Sequence, residues 1–182
     1  VDSGSQHEKP VTPKLGVSFK LNSDNMLYAS ASKGYRIGGY NPRVGAPCAS
    51  DANYSGYRTL FDSDSVWSYE LGSKNELLDS RVRINTSLYH IDWKNIQQVI
   101  GLSSCGFAYT ANLGKARSQG VDLQAELALT DRLVAGLAVG YNDARFTETV
   151  KTVPTATRNL ITDGDHIVGW PWTLAVSAQY NF

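Results

Sequence analysis

The sequence predicts an all-β chain folded as an antiparallel up-and-down meander, and three observations predict it. Side-chain polarity alternates with period two in segment after segment, as it does where successive side chains point to opposite faces of a strand. The segments run to about ten residues, roughly 33 Å at about 3.3 Å per residue, longer than the usual five or six of a soluble strand. The links between them alternate short and long, so in a meander all the short ones fall at one end. Ten tyrosines, four tryptophans and sixteen glycines against one methionine also lean toward strands.

The elements follow in order. Leu15, Val17, Phe19 and Leu21 share one face of the first strand, with Gly16, Ser18 and Lys20 on the other, and Ser23-Asp24-Asn25 has the composition of a tight turn. Leu27, Ala29 and Ala31 alternate with Tyr28, Ser30 and Ser32 in a second strand that ends near Tyr35. The third places Trp67, Tyr69 and Leu71 opposite Ser68, Glu70, Gly72 and Lys74, and turns at Leu78-Asp79-Ser80. The fourth sets Val82, Ile84, Thr86 and Leu88 against Arg83, Asn85 and Ser87, and its pattern blurs from Tyr89 to Trp93. GVDLQAELALTDRLVAGLAVGY (120–141) is a hairpin: Val121 to Leu129 on odd positions, a turn at Thr130-Asp131-Arg132, and Leu133 to Tyr141 on odd positions again. Pro171 opens the seventh strand, with Trp172, Leu174, Val176, Ala178, Tyr180 and Phe182 on one face. The long links run from about Arg36 to Ser65, Gly101 to Phe107 and Phe146 to Trp170.

Composition sets further bounds. With 17 basic and 17 acidic residues the chain lacks the charge of a protein that neutralises phosphates, so no nucleic-acid partner is expected. No run of about eighteen apolar residues predicts a membrane helix. The chain starts at Val1 without methionine or an evident leader, and reads as a fragment or processed piece.

Two architectures fit the alternation. A soluble sandwich, as in a β-sheet adhesin or carbohydrate-binding module, would bury its apolar face against a second sheet. A transmembrane barrel would turn that face to lipid and leave the other in a wet lumen. Strand length and the short-long asymmetry of the links favour the barrel, as do Asp122, Gln124, Glu126, Glu70 and Lys74, which a soluble core would have to desolvate at several kcal/mol each. Val121, Leu123, Leu127, Leu137, Val139, Leu174 and Val176 are then expected to point outward, and Asp122, Gln124 and Glu126 inward.

TPKLGVSFKL (12–21), LYASASKGYRIGGYNP (27–42), VWSYELGSKNELLDSRVRINTSLYHIDWKNIQ (66–97), NLGKARSQGVDLQAEL (112–127) and PWTLAVSAQYNF (171–182) together resemble the β-barrel of TonB-dependent outer-membrane receptors, in the branch that imports iron complexes. The resemblance spans nearly the whole chain, residues 1–182. It implies about seven strands of a 22-stranded barrel in the bacterial outer membrane, with uptake of a ferric siderophore or similar nutrient driven through the TonB complex. The plug domain and the TonB box of such receptors lie upstream and are absent from this chain. PWTLAVSAQYNF resembles the barrel-ending strand of the family and equally a strand that precedes several more. A passive porin would share the alternation without explaining the resemblance.

No residue set points to an enzyme, a cofactor or a metal centre. His7, His90 and His166 are scattered without ligand spacing, and Asp163-Gly164-Asp165-His166 lacks the periodic oxygens of a calcium loop and reads as a turn. KGYRIGGYNP is glycine-rich but follows a strand without opening a helix, so it is no phosphate cradle. Cys48 and Cys105 fall in different long links at the same end and are candidates for a disulfide, with free thiols as the alternative. The substrate-binding candidates are Arg36, Tyr40, Asn41, Arg43, Tyr57 and Arg58 of the first link with Gln97, Tyr109 and Trp170. Rings and guanidinium groups suit an anionic or catecholate-type metal chelate, although tyrosine and asparagine populate any exposed loop.

Overall fold

A computed structural model describes residues 8–151 and 159–182. Its strands are β1 (Lys14–Lys20), β2 (Asn25–Arg36), β3 (Gly39–Tyr40), β4 (Leu60–Phe61), β5 (Asp64–Leu77), β6 (Val82–Lys94), β7 (Gln97–Leu102), β8 (Phe107–Asn112), β9 (Lys115–Ala128), β10 (Leu133–Phe146), β11 (Val150–Lys151), β12 (Asn159–Ile161) and β13 (Trp172–Tyr180). Seven of them form one antiparallel sheet in the order β1-β2-β5-β6-β9-β10-β13, so each long strand pairs with the next long strand in the chain. The other six form three two-stranded ribbons inside the long links. The second long link is therefore wider than its sequence suggested. It spans 95–114, because Gln97 to Leu102 and Phe107 to Asn112 pair with each other rather than lying in the main sheet. The first link also holds two short 3₁₀ turns, Ala46–Ser50 and Tyr54–Gly56.

The short turns close with local side-chain chemistry. Asn22 Oδ1 accepts the Asp24 and Asn25 backbone N–H groups at 2.9 and 2.8 Å, and Thr130 Oγ1 accepts that of Leu133 at 3.0 Å. Leu78, Asp79 and Ser80 turn the chain with φ of 54°, 53° and 63°, a left-handed run that disfavours all three side chains.

Register assigns the faces, since directly opposed residues share one. Leu15, Val17 and Phe19 oppose Ala31, Ala29 and Leu27; Leu71 opposes Ala29 and Leu88; Leu88 opposes Val121. Leu123 opposes Val139, Leu127 opposes Ala135, and Leu137 and Val139 oppose Val176 and Leu174. These residues make one continuous apolar face, with Asp122, Gln124 and Glu126 on the other. Leu15, Val176 and Leu174 are 77%, 76% and 71% exposed, so no described part of the chain covers that face. Ser73 and Asn75 interrupt it, and Asn75 spends its amide on Ser73 Oγ at 3.0 Å and the Ile84 carbonyl at 3.4 Å. Aromatic pairs sit at its ends: Trp67 with Tyr69 (6.0 Å) and Tyr141 with Trp172 (4.8 Å) toward the long links, Tyr180 with Phe182 (5.1 Å) toward the short turns.

Toward the long links the two faces exchange character. His90 and Asp92 on β6, Gln119 and Arg117 on β9, and Asp143 and Arg145 on β10 continue the apolar face as a polar one. Tyr89, Ile91, Trp93, Ala116, Ala144 and Phe146 continue the polar face as an apolar one. This exchange is why the pattern blurs from Tyr89 to Trp93 while the strand runs on to Lys94. It also hides the full lengths of β9 and β10, which extend to Lys115 and Phe146.

The buried apolar cluster lies beyond the sheet, among the links. Cys48, Ile100, Leu102 and Tyr109 form it, and Val44, Tyr54, Tyr57, Leu113 and Leu160 pack against it. Cys48 and Cys105 are bridged with Cα atoms 5.2 Å apart, tying the first link to the β7-β8 ribbon. Closing a loop of 57 residues in the unfolded chain favours the fold by about 4 kcal/mol in the chain-entropy account.

Two outcomes follow from this packing. A Cβ at Gly120 would lie 2.0 Å from the Tyr141 carbonyl oxygen and 2.5 Å from the Tyr89 hydroxyl, whereas one at Gly101 meets nothing within 4 Å. Gly120→Ala should therefore destabilise the sheet by about 1 to 3 kcal/mol, read as a lower urea midpoint of the heat-modifiable barrel band, and Gly101→Ala should not. Replacing Cys48 and Cys105 together by alanine should raise amide exchange across 97–112 and leave β9 and β10 protected; equal loosening of both would show that the bridge serves the whole sheet.

Candidate functional site at the long-loop rim

The strongest knot at the rim is built around Asp64, whose side chain is 2% exposed. Arg36 is its register partner, and the guanidinium bonds both carboxylate oxygens, with Nε at 3.1 and 3.0 Å and Nη2 as a further donor. Trp93 Nε1 and the Gln97 backbone N–H also donate to Oδ2, at 3.0 and 3.1 Å. The guanidinium lies 4.9 Å from the centre of the Trp93 ring and donates to the Gln97 carbonyl at 3.2 Å. Gln97 Nε2 donates to the Ile37 and Asp62 carbonyls at 2.8 and 3.0 Å. Arg36 and Gln97 are thus brought together, as struts around a buried carboxylate.

A second group holds the first link against the β7-β8 ribbon. Asn41, 6% exposed, donates to the Arg58 and Thr110 carbonyls at 2.9 and 2.7 Å and accepts the Thr110 N–H at 2.6 Å. Tyr109, 3% exposed, donates to the Asn53 carbonyl at 2.8 Å, and burial pushes its phenol above the usual value. Tyr57 meets its ring edge-on at 5.6 Å and donates to the Pro42 carbonyl at 3.1 Å. Arg58 donates to the Ser55 and Tyr57 carbonyls at 3.2 and 2.8 Å. Asp51 accepts the Ser104 and Asn53 N–H groups, both at 2.9 Å, which hold its carboxyl below the ordinary range.

The candidates therefore divide. Asn41 and Tyr109 are buried, and their hydrogen bonds close the loop body; Tyr109 also lines the cavity between the links. Tyr40 (42% exposed) and Trp170 (88%) present their side chains to solvent, as does Arg43. Trp170 belongs to the third link, apart in sequence from the others. A cavity of about 290 Å³ opens between the three links, lined by Arg58, Asp62, Asn112 and Lys151 with Leu60, Phe61, Ile100 and Leu160. Asp64, Asp62, Asn112 and Lys151 were not singled out from the sequence. Asp64 was within reach, since running the β2-β5 pairing outward from Tyr28 and Gly72 arrives at Arg36 opposite Asp64.

The histidines differ in place. His7 lies outside the described residues; His90 Nε2 is 3.3 Å from Asp92 and His166 Nδ1 is 4.0 Å from Asp143, both among the polar residues that continue the apolar face. At 163–166 the Asp165 carboxylate accepts the Thr162 N–H at 2.8 Å, the chemistry of a turn.

Comparison with known proteins gives one family. Residues 2–182 match the family described as TonB dependent receptor-like, beta-barrel. The metal-pseudopaline receptor CntO of Pseudomonas aeruginosa is 34% identical over 146 residues, which cover 80% of this chain and 18% of that protein. The chain thus spans about a fifth of the curated relatives it matches. Among solved structures, the ferric yersiniabactin uptake receptor FyuA of Yersinia pestis superimposes with a TM-score of 0.66 at 19% identity, over 91% of this chain and 22% of that one. The pyoverdine outer-membrane receptor FpvA of Pseudomonas aeruginosa gives 0.59 at 20% identity, over 94% and 22%. The seven-stranded meander is a stretch of β-barrel wall of the bacterial outer membrane, and the chain belongs to the TonB-dependent receptor β-barrel family.

Proposed function

We propose that this chain is part of the wall and outer rim of a receptor that captures a metal chelate, a ferric siderophore or a similar complex, and imports it with energy relayed by TonB to a plug domain upstream. The observation that carries the reading is the gathering of all three long links at one end of a sheet whose lower lining is polar, joined to 34% identity with a metal-pseudopaline receptor. In the intact protein β1 and β13 pair with further strands to close a barrel of about 22. The apolar face meets lipid, and the face of Asp122, Gln124 and Glu126 lines the lumen. The role is binding and transport, without catalysis.

At the rim the ligand is met by exposed side chains, Tyr40, Arg43 and Trp170, over a body held rigid by the Asp64 knot, the buried Asn41 and Tyr109, and the bridged cysteines. Arg36, half exposed, is committed to Asp64; Tyr57, Arg58 and Gln97 are committed to backbone carbonyls, which makes them supports. Binding residues on loops are effective when the scaffold beneath them is fixed.

Two outcomes test this. Replacing Tyr40, Arg43 and Trp170 together by alanine in the full receptor should weaken chelate binding to whole cells roughly tenfold or more, at unchanged surface abundance, since a charge-assisted contact contributes about 1.5 to 3 kcal/mol; unchanged affinity would move the binding site to the cavity, the plug or other strands. Leu137→Arg should cost about 2 to 4 kcal/mol near the bilayer midplane, seen as loss of heat-modifiable mobility, while Ala138→Arg on the lumenal face should assemble normally.

A further inference from the structure

The cavity between the three long links carries charges of both signs that the fold does not use. Asp62 stands on its wall with both backbone groups taken: the N–H donates to Asn112 Oδ1 at 2.7 Å, and the carbonyl accepts Asn112 Nδ2 at 2.8 Å and Gln97 Nε2 at 3.0 Å. Its carboxylate makes no hydrogen bond or ion pair among the described residues. Lys151 lines the same cavity from the third link, with its backbone held opposite Asn159 in the β11-β12 ribbon. Its ammonium likewise has no partner among the described residues. Arg58 spends Nη1 on the Ser55 and Tyr57 carbonyls and keeps Nε and Nη2 without an acceptor among the described residues. Three charged groups on fixed backbones thus share one cavity without pairing to one another.

Volume and lining set the class of occupant. The cavity of about 290 Å³ lies at the lower end of small-molecule sites, which run from about 300 to 1,000 Å³, and so suits a single metabolite rather than a whole metal chelate. The rest of the wall includes the apolar side chains of Phe61, Ile100 and Leu160. A simple anion would meet the Asp62 carboxylate, a simple cation would meet Lys151 and Arg58, and an uncharged apolar molecule would leave all three unanswered. A zwitterion with an apolar side chain answers each: its carboxylate accepts from Lys151 and Arg58, its ammonium donates to Asp62, and its side chain covers the apolar wall.

We propose that this cavity binds a free α-amino acid with an apolar side chain. Arg58 and Asp62 come from the first link, Ile100 from the second, and Lys151 and Leu160 from the third, so the occupant joins all three links into one body. The site is separate from chelate capture by Tyr40, Arg43 and Trp170 and does not rest on that reading.

The test titrates the intact receptor in detergent micelles with phenylalanine, with phenylpropionate, which lacks the ammonium, with phenethylamine, which lacks the carboxylate, and with glycine, which lacks the side chain. Binding is read by ligand-observed nuclear magnetic resonance. Phenylalanine should bind about tenfold or more tightly than each of the other three, because a site built around a polar group rejects the analogue that leaves it unanswered. Lys151→Gln should cut the preference over phenethylamine about threefold or more, and Asp62→Asn should do the same to the preference over phenylpropionate. Equal binding of phenylalanine and any one of the three analogues overturns the proposal, as do unchanged preferences in the folded variants. Should the variants fail to give a heat-modifiable barrel, amide exchange in the unaltered receptor decides: phenylalanine should slow it about twofold or more across both 97–112 and 159–161, and no slowing there overturns the proposal equally. Chelate binding to whole cells carrying either variant is expected to stay normal; its loss would merge the cavity with the nutrient site and overturn the separate assignment.

Discussion

The whole molecule depends on an unbroken antiparallel register across seven strands. The five interior strands satisfy their backbone laterally on both sides and the edge strands β1 and β13 on one, and pairing with period two then fixes the face of every side chain. A slip of one residue in β9 would carry Asp122, Gln124 and Glu126 onto the apolar face and Leu123 onto the polar one. The pattern of the opposed strands forbids that slip, because Leu137 and Val139 are matched on both sides, by Ala125 and Leu123 and by Val176 and Leu174. The glycines belong to the same constraint. The Tyr28 ring lies over Gly72 and the Tyr89 hydroxyl reaches Gly120, each tyrosine covering the glycine opposite it, so bulky lining residues fit without forcing strands apart.

Where this fold puts its apolar matter follows from its solvents. A soluble sheet of this size would bury one face; here residues such as Leu15, Val17, Leu174 and Val176 remain exposed, and the fully buried side chains Cys48, Ile96 and Leu102 all sit in the links. Lipid covers the first group at no cost in desolvation, whereas the links stand in water and need a core of their own. The inversion at Leu88, Val121 and Tyr141 marks the boundary between those regimes. Below it, apolar side chains point out; above it, Ala116 and Ala144 point in and are buried, while Arg117 and Arg145 point out.

At the rim, charge is used for position before it is used for recognition. Asp64 is nearly inaccessible, and its four kinds of donor come from β2, β6 and the start of β7. A buried carboxylate so surrounded costs desolvation but punishes any rearrangement that removes a donor, so it specifies one arrangement of the link ends. The disulfide adds a covalent tie farther out, and together they turn two long links into one body.

The sequence by itself determined the seven strands of the main sheet, their order, the faces of their membrane-side halves and the family, because alternation, turn composition and link length are local properties written in consecutive residues. Asn22, Thr130, Leu137 and Asp122 sit where local reading puts them. It also pointed to the loops that crown the rim, although which of their side chains serve as struts was settled only by tertiary contact. Asn41 and Tyr109 look like surface groups in a string of polar loop residues, yet Thr110 and Asn53, reached across the fold, take up their hydrogen bonds. Tyr89 to Trp93 reads as the decay of a strand, although it is the point where one strand passes from lipid to water and its faces change partners. Those assignments depend on what lies opposite a residue in space, and the pairing of 97–102 with 107–112 and of Cys48 with Cys105 came from packing that period two alone does not encode.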